Sequence, residues 1–123
     1  MGAGNPAVYV AAHINAGGGS YGSVFYDHRS AQGPKLAECI AQEMKGKLPE
    51  LQQNARAISA NRGDWTKNAF YTIRWVKAFA VCYEPCFIDT KAHRGLFSVS
   101  GMDRIGHALA YGIHEFSKGL QDD

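Results

Sequence analysis

Apolar positions recur along this chain with two different periods. Residues 7–13 (AVYVAAH) form an apolar, partly β-branched run, which predicts a buried strand ending near His13. The glycine-rich stretch 15–21 (NAGGGSY) predicts a loop, and 22–26 (GSVFY) predicts a second strand. The short interval between the two places them side by side. Over residues 30–48 the period changes. Leu36, Ile40, Met44 and Leu48 recur at every fourth position and, with Ala37 and Ala41, make one apolar stripe of a helix. Pro34 is tolerated in the first turn, where its missing N–H does little harm, and Pro49 closes the element.

The second half repeats the alternation. Residues 54–67 are mixed and polar and predict a loop or a short strand, and 69–75 alternate loosely enough for another strand. Residues 78–88 (AFAVCYEPCFI) carry the strongest strand signal, apolar almost throughout, as in a central strand covered on both faces. Glu84 and Pro85 interrupt it, and the proline marks the strand's end or a bulge. Residues 89–99 read as a loop. Ser100, Gly101, Met102 and Asp103 then resemble a capping box. It opens a second helix over 102–117 with Met102, Ile105, Leu109, Ile113 and Phe116 on one face. Strands alternating with helices predict an α/β fold, a layered sheet with flanking helices.

Composition narrows the classes of function. The 123 residues fit a single domain. Apolar residues make up 46%, enough for a core, and 20% are charged, so disorder is not expected. A net charge of +2 without a Lys/Arg run argues against a nucleic-acid partner. No apolar run approaches the roughly 18 residues of a membrane span. No basic segment followed by an apolar one marks a signal peptide, so action outside the cell would need another route of delivery. Cys39, Cys82 and Cys86 are odd in number. The last two lie four apart in a strand, too far apart to bond to each other, so all three are expected to be reduced and mostly buried.

Two residues stand out chemically. His13 ends a strand, where ligands and catalytic groups of α/β folds gather, and imidazole is a common zinc ligand; a core histidine bonded to a backbone carbonyl is the structural alternative. Glu84 sits in the most apolar segment, where a carboxylate needs a cation, a metal or several donors. An apolar setting raises its pKa and suits a general base or acid; an ion pair with Arg62, Arg74 or Lys77 is the alternative. Gly17, Gly18, Gly19 and Ser20 lack the spacing and lysine of a phosphate-binding loop and read as a flexible connection. Cys82, Glu84 and Cys86 would share a face of a regular strand, but their spacing matches no common zinc pattern. His28, His93, His107 and His114 form no i, i+4 pair and read as surface or packing residues.

Taken in order, these segments resemble the zinc-dependent N-acetylmuramoyl-L-alanine amidases of bacterial autolysins and phage endolysins. The resembling stretches are VYVAAHINA at 8–16, GSVFYD at 22–27, Ser30 with Leu36-Ala37, Asn61-Arg62-Gly63, Glu84-Pro85-Cys86-Phe87-Ile88-Asp89, and Ala110-Tyr111-Gly112-Ile113. They cover almost the whole chain. The resemblance implies a peptidoglycan hydrolase acting at the bacterial cell wall on the amide between N-acetylmuramic acid and L-alanine. It implies Zn²⁺ held by two His and one Glu with water in the open position, and a separate Glu that moves the proton. His13 matches one zinc-ligating His and Glu84 the catalytic Glu. Asn15 and Arg62 are expected to contact the muropeptide.

The resemblance also implies an absence. In such amidases the other zinc His and the ligand Glu precede the strand that ends at His13, on an N-terminal βαβα part. Only residues 1–6 stand ahead of that strand here, so two of the three protein ligands have no counterpart. The expectation is a partial catalytic domain, with a missing N-terminal segment or self-association at an uncovered sheet edge. The alternative is a remnant that folds and binds muropeptides without hydrolysing them.

Overall fold

The computed structural model describes residues 8–60 and 79–121. Within them the elements run β1 (Val8–Ala12), β2 (Gly22–Asp27), α1 (Gly33–Lys47), β3 (Ala55–Ala60), β4 (Phe79–Glu84) and α2 (Val99–Gln121). The α/β class expected from the alternating periods is the one observed.

The strands form one four-stranded sheet in the order β1-β4-β2-β3. β4 pairs parallel with β1, Val8 opposite Phe79 through Ala12 opposite Tyr83. On its other side it pairs antiparallel with β2, Ser23 opposite Glu84 and Phe25 opposite Cys82. β2 pairs parallel with β3, from Gly22 opposite Ala55 to Asp27 opposite Ala60. The first two strands are therefore not neighbours, contrary to the reading of the short interval between them. β4, the most apolar strand, takes the place between them, and the loop 13–21 passes its end, a crossing of only about 9–10 Å. β1 is correspondingly not a buried strand among the described residues. It lies at a sheet edge, with Tyr9 37% exposed.

Strand alternation divides the sheet into two unlike faces. On one face, Val24, Ala55, Val81 and Tyr83 pack under α1 and α2, against Leu36, Ile40, Met44, Ile105 and Phe116. The i+4 stripe of α1 is buried as its spacing requires, and Leu48 is fully buried just past the helix. The opposite face holds a small cluster of Ala60, Ala80 and Cys82 with Ala11 and Phe25.

Several element boundaries differ from expectation. α1 begins at Gly33 rather than at Ser30; the Ser30 hydroxyl accepts the Gly33 N–H at 2.8 Å, so it acts ahead of the helix. α2 begins at Val99, not after Ser100. Ser98 caps it, its Oγ accepting the Gly101 N–H at 3.0 Å. Met102, expected on the apolar face, is 40% exposed, and Ala108 takes that role instead. The presumed loop 89–99 contains a 3-10 helix, Lys91–Phe97, that buries His93 and Leu96. The 54–67 segment supplies β3. Gly112 lets the two helices touch: a Cβ there would fall 2.5 Å from the Ile40 Cα. The strand expected over 69–75 lies outside the described residues.

Candidate active site

β1 and β4 run parallel, so their C-terminal ends lie together. The ladder continues past both: the His13 N–H donates to the Tyr83 carbonyl at 3.0 Å, and the Asn15 N–H to the Cys86 carbonyl at 2.9 Å. The Asn15 carbonyl in turn accepts the Ile88 N–H at 2.8 Å. With Ala11 and Cys82 on the face away from the helices, the two-residue period carries His13 and Glu84 onto that same face, on adjacent strands. His13 is exposed, whereas Glu84 is only 8% exposed.

Burial pushes the Glu84 carboxyl above the ordinary glutamate range. The Cys82 thiol, donating to its Oε2 at 3.6 Å, and the nearby His13 pull the other way without cancelling that rise. The same burial, with the Glu84 charge added, pushes the Cys82 thiol up to about 12, so it stays protonated and remains a donor. Ser23, across the antiparallel pair from Glu84, is 1% exposed, and its hydroxyl has no hydrogen-bond partner. A buried hydroxyl without a partner is uncommon in folded proteins. Sequence patterning did not single out Ser23, because only the β2–β4 register brings it to Glu84.

The glycine-rich loop is held, not loose. Gly17 and Gly18 adopt positive φ (117° and 75°), and their N–H groups donate to the Asp89 carboxylate at 3.0–3.2 Å. Those bonds hold the Asp89 carboxyl below the usual range. The loop amides that a phosphate would need are thus engaged by the chain itself. Thr90 donates its hydroxyl to the Gly19 carbonyl at 2.5 Å. A Cβ on Gly19 would fall 2.3 Å from the Phe87 ring, so the ring packs onto the bare backbone there. Phe87 also meets Tyr21 edge-on at 5.0 Å. His93, fully buried, accepts the Phe87 N–H through Nδ1 at 3.0 Å, and burial lowers its pKa. It is a packing residue.

The remaining expected residues are placed as follows. The Asn15 carboxamide oxygen accepts the Ala16 N–H at 2.8 Å, which shapes the turn after His13. Cys86 lies beyond the end of β4 in the helix-side core, so Cys82, Glu84 and Cys86 do not share a face. Cys82 and Cys86 are buried, Cys39 is partly exposed, and all three are free. Arg62 lies outside the described residues. Among the described residues no group of three His, Cys, Asp or Glu side chains can hold a metal ion. A catalytic zinc needs three protein ligands; the described residues fit one coordination position, at His13, and not a whole site.

The profile of the N-acetylmuramoyl-L-alanine amidase family matches residues 2–115. The chain belongs to this family. Among solved structures, this chain is similar to the CwlD amidase from Clostridioides difficile in complex with the GerS lipoprotein. The TM-score is 0.72 at 21% identity, over 94% of this chain and 55% of that one. It is also similar to the catalytic domain of CwlV, an N-acetylmuramoyl-L-alanine amidase from Bacillus (Paenibacillus) polymyxa var. colistinus. There the TM-score is 0.67 at 20% identity, over 90% of this chain and 57% of that one. The chain thus spans a little over half the length of these two structures. No curated protein matches it. No helix among the described residues is long and apolar enough to cross a membrane.

Proposed function

We propose that this chain carries the proton-transfer group and one zinc ligand of a peptidoglycan amidase that cuts the bond between N-acetylmuramic acid and L-alanine. The observation that supports this most is the pairing of His13 and Glu84 at one end and on one face of the sheet, with the Glu84 carboxyl raised by burial. A carboxyl so raised suits both proton steps of amide hydrolysis. Glu84 takes a proton from the attacking water and then delivers it to the departing L-alanine nitrogen, which cannot leave as an anion. The Cys82 thiol holds one oxygen of that carboxylate, leaving the other for the water. Zinc, when bound, polarises the amide carbonyl and lowers the pKa of water. His13 is the residue of this chain that would hold it, together with two ligands that the described residues do not provide.

A protein that joins this chain to two further zinc ligands should, when mixed with purified peptidoglycan and zinc, generate new L-alanine amino termini without new reducing sugars. Omitting zinc should stop the reaction. New reducing sugars instead of amino termini would make the protein a glycosidase and end this reading. A second reading follows from the incomplete ligand set: taken alone, the chain binds muropeptides and hydrolyses nothing. Calorimetric titration of the metal-free chain separates the two. Millimolar or weaker zinc binding favours the second reading for the chain by itself. Submicromolar binding at one ion per chain would reveal a full ligand set and favour the first.

A further inference from the structure

The sheet register carries the site beyond His13 and Glu84. Ser23 lies opposite Glu84 on one side and opposite Arg56 on the other. Ala55 and Ala57 pack toward the helices, and Ala60 lies in the cluster on the opposite face, so Arg56 shares the face of Glu84. His13, Glu84, Ser23 and Arg56 therefore form one row across all four strands. The Arg56 guanidinium lies 4.2 Å from the Tyr21 ring centroid, and Tyr21 is braced by Phe87 at 5.0 Å. Among the described residues no carboxylate pairs with Arg56, while Arg29, Arg104, Lys47 and Lys118 each have one. The row thus offers, in order, an imidazole, a proton-transfer carboxyl, a buried hydroxyl with no partner and an exposed guanidinium held on an aromatic ring.

We propose that Arg56 is a carboxylate-binding subsite on the leaving-amine side of the scissile bond, reading a free carboxylate of the stem peptide about two residues from the cleaved amide. The inference rests on the amidase reading and specifies its substrate. Two strand spacings place Arg56 about 9–10 Å from Glu84. An extended peptide covers about 7 Å in two residues, and the arginine side chain closes the rest. A guanidinium binds a carboxylate through two parallel hydrogen bonds, and it loses little freedom when already stacked on a ring.

Calorimetric titration tests the subsite without needing turnover. The probes are N-acetylmuramoyl-L-alanyl-D-glutamate with a free α-carboxylate and the same compound amidated at that carboxylate. The chain should bind the free acid on the order of tenfold more tightly. Arg56→Gln should abolish the preference, Arg56→Lys should restore only part of it, and Glu84→Gln should leave it intact. Equal affinity for the two probes, or a preference that survives Arg56→Gln, overturns the subsite while leaving the amidase reading standing. Failure of both probes to bind also overturns the subsite. The amidase reading would then stand or fall on the hydrolysis of peptidoglycan.

Discussion

The two faces of this sheet are built to opposite rules. The helix-covered face fills its space with Leu36, Ile40, Met44, Val24, Tyr83 and Phe116, and the buried Tyr83 hydroxyl in it donates to the Ile105 carbonyl at 2.8 Å. The other face carries small apolar residues, Ala60, Ala80 and Cys82. Across them runs a row of polar groups whose bonding is incomplete: the Ser23 hydroxyl has no partner, and Glu84 is held by a single thiol donor. The first face stabilises the domain, and the second carries the polar groups with unspent hydrogen bonds. The same four strands serve both, because alternate side chains point to opposite sides.

That contrast can be broken by substitutions of similar size on the two faces. Leu36→Ala, at a fully buried position under the sheet, should lower unfolding stability by about 2–5 kcal/mol in denaturant titration. A loss below about 1 kcal/mol would mean that the helix face is not the core. Gly112→Ala should cost about 1–3 kcal/mol, since its Cβ would meet the Ile40 backbone at 2.5 Å. On the opposite face, Ser23→Ala should change stability by less than about 0.5 kcal/mol, or raise it slightly, because it removes an unsatisfied buried hydroxyl. A loss above about 1 kcal/mol there would give Ser23 a structural partner and erase the distinction between the faces.

The periodicity made the helix face legible. A fourth-residue stripe in 30–48 can only be buried on one side, and α1 buries it. The central place of β4 followed from its nearly continuous apolar run. Strand order did not, because the pairing of β1 with β4 joins residues some seventy positions apart, and no local pattern encodes that partner. Both helix starts slipped by three residues, 30 to 33 and 102 to 99, since Ser30 and Ser98 serve hydrogen-bonding roles that Ser100 could equally have played on paper. His13 and Glu84 were visible as a histidine at a strand end and a charge in an apolar run. Ser23 and Arg56 were invisible for the opposite reason: each is ordinary in its own strand, and only the register gives it neighbours.

An intermediate effect sharpens the contrast from the helix side. Arg104 of α2 holds Glu50 through two bonds of 2.7 and 2.8 Å, and that pairing lowers the Glu50 pKa. A carboxyl lowered by folding adds stability above its unfolded pKa and loses it as pH falls through the folded value. Glu50→Gln should therefore cost about 1–2 kcal/mol at neutral pH. The gap from the parent chain should close as pH drops below the ordinary glutamate range. A gap independent of pH would trace the loss to packing instead. The smallest effect concerns thiols. Cys39, partly exposed, should react with a thiol reagent before Cys82 and Cys86, whose thiols burial pushes up to about 12 and about 11.

The face that carries Glu84 is the proposed reactive one, with Glu84 as its proposed proton-transfer group. The most direct measurement is the turnover of muramoyl–L-alanine amide hydrolysis by the zinc-loaded protein that carries this chain, compared with its Glu84→Gln variant. Zinc affinity is followed in both. Turnover should fall roughly 10²–10⁴-fold with zinc affinity unchanged. Near-normal turnover in the variant would assign the proton transfer to another residue and contradict the account.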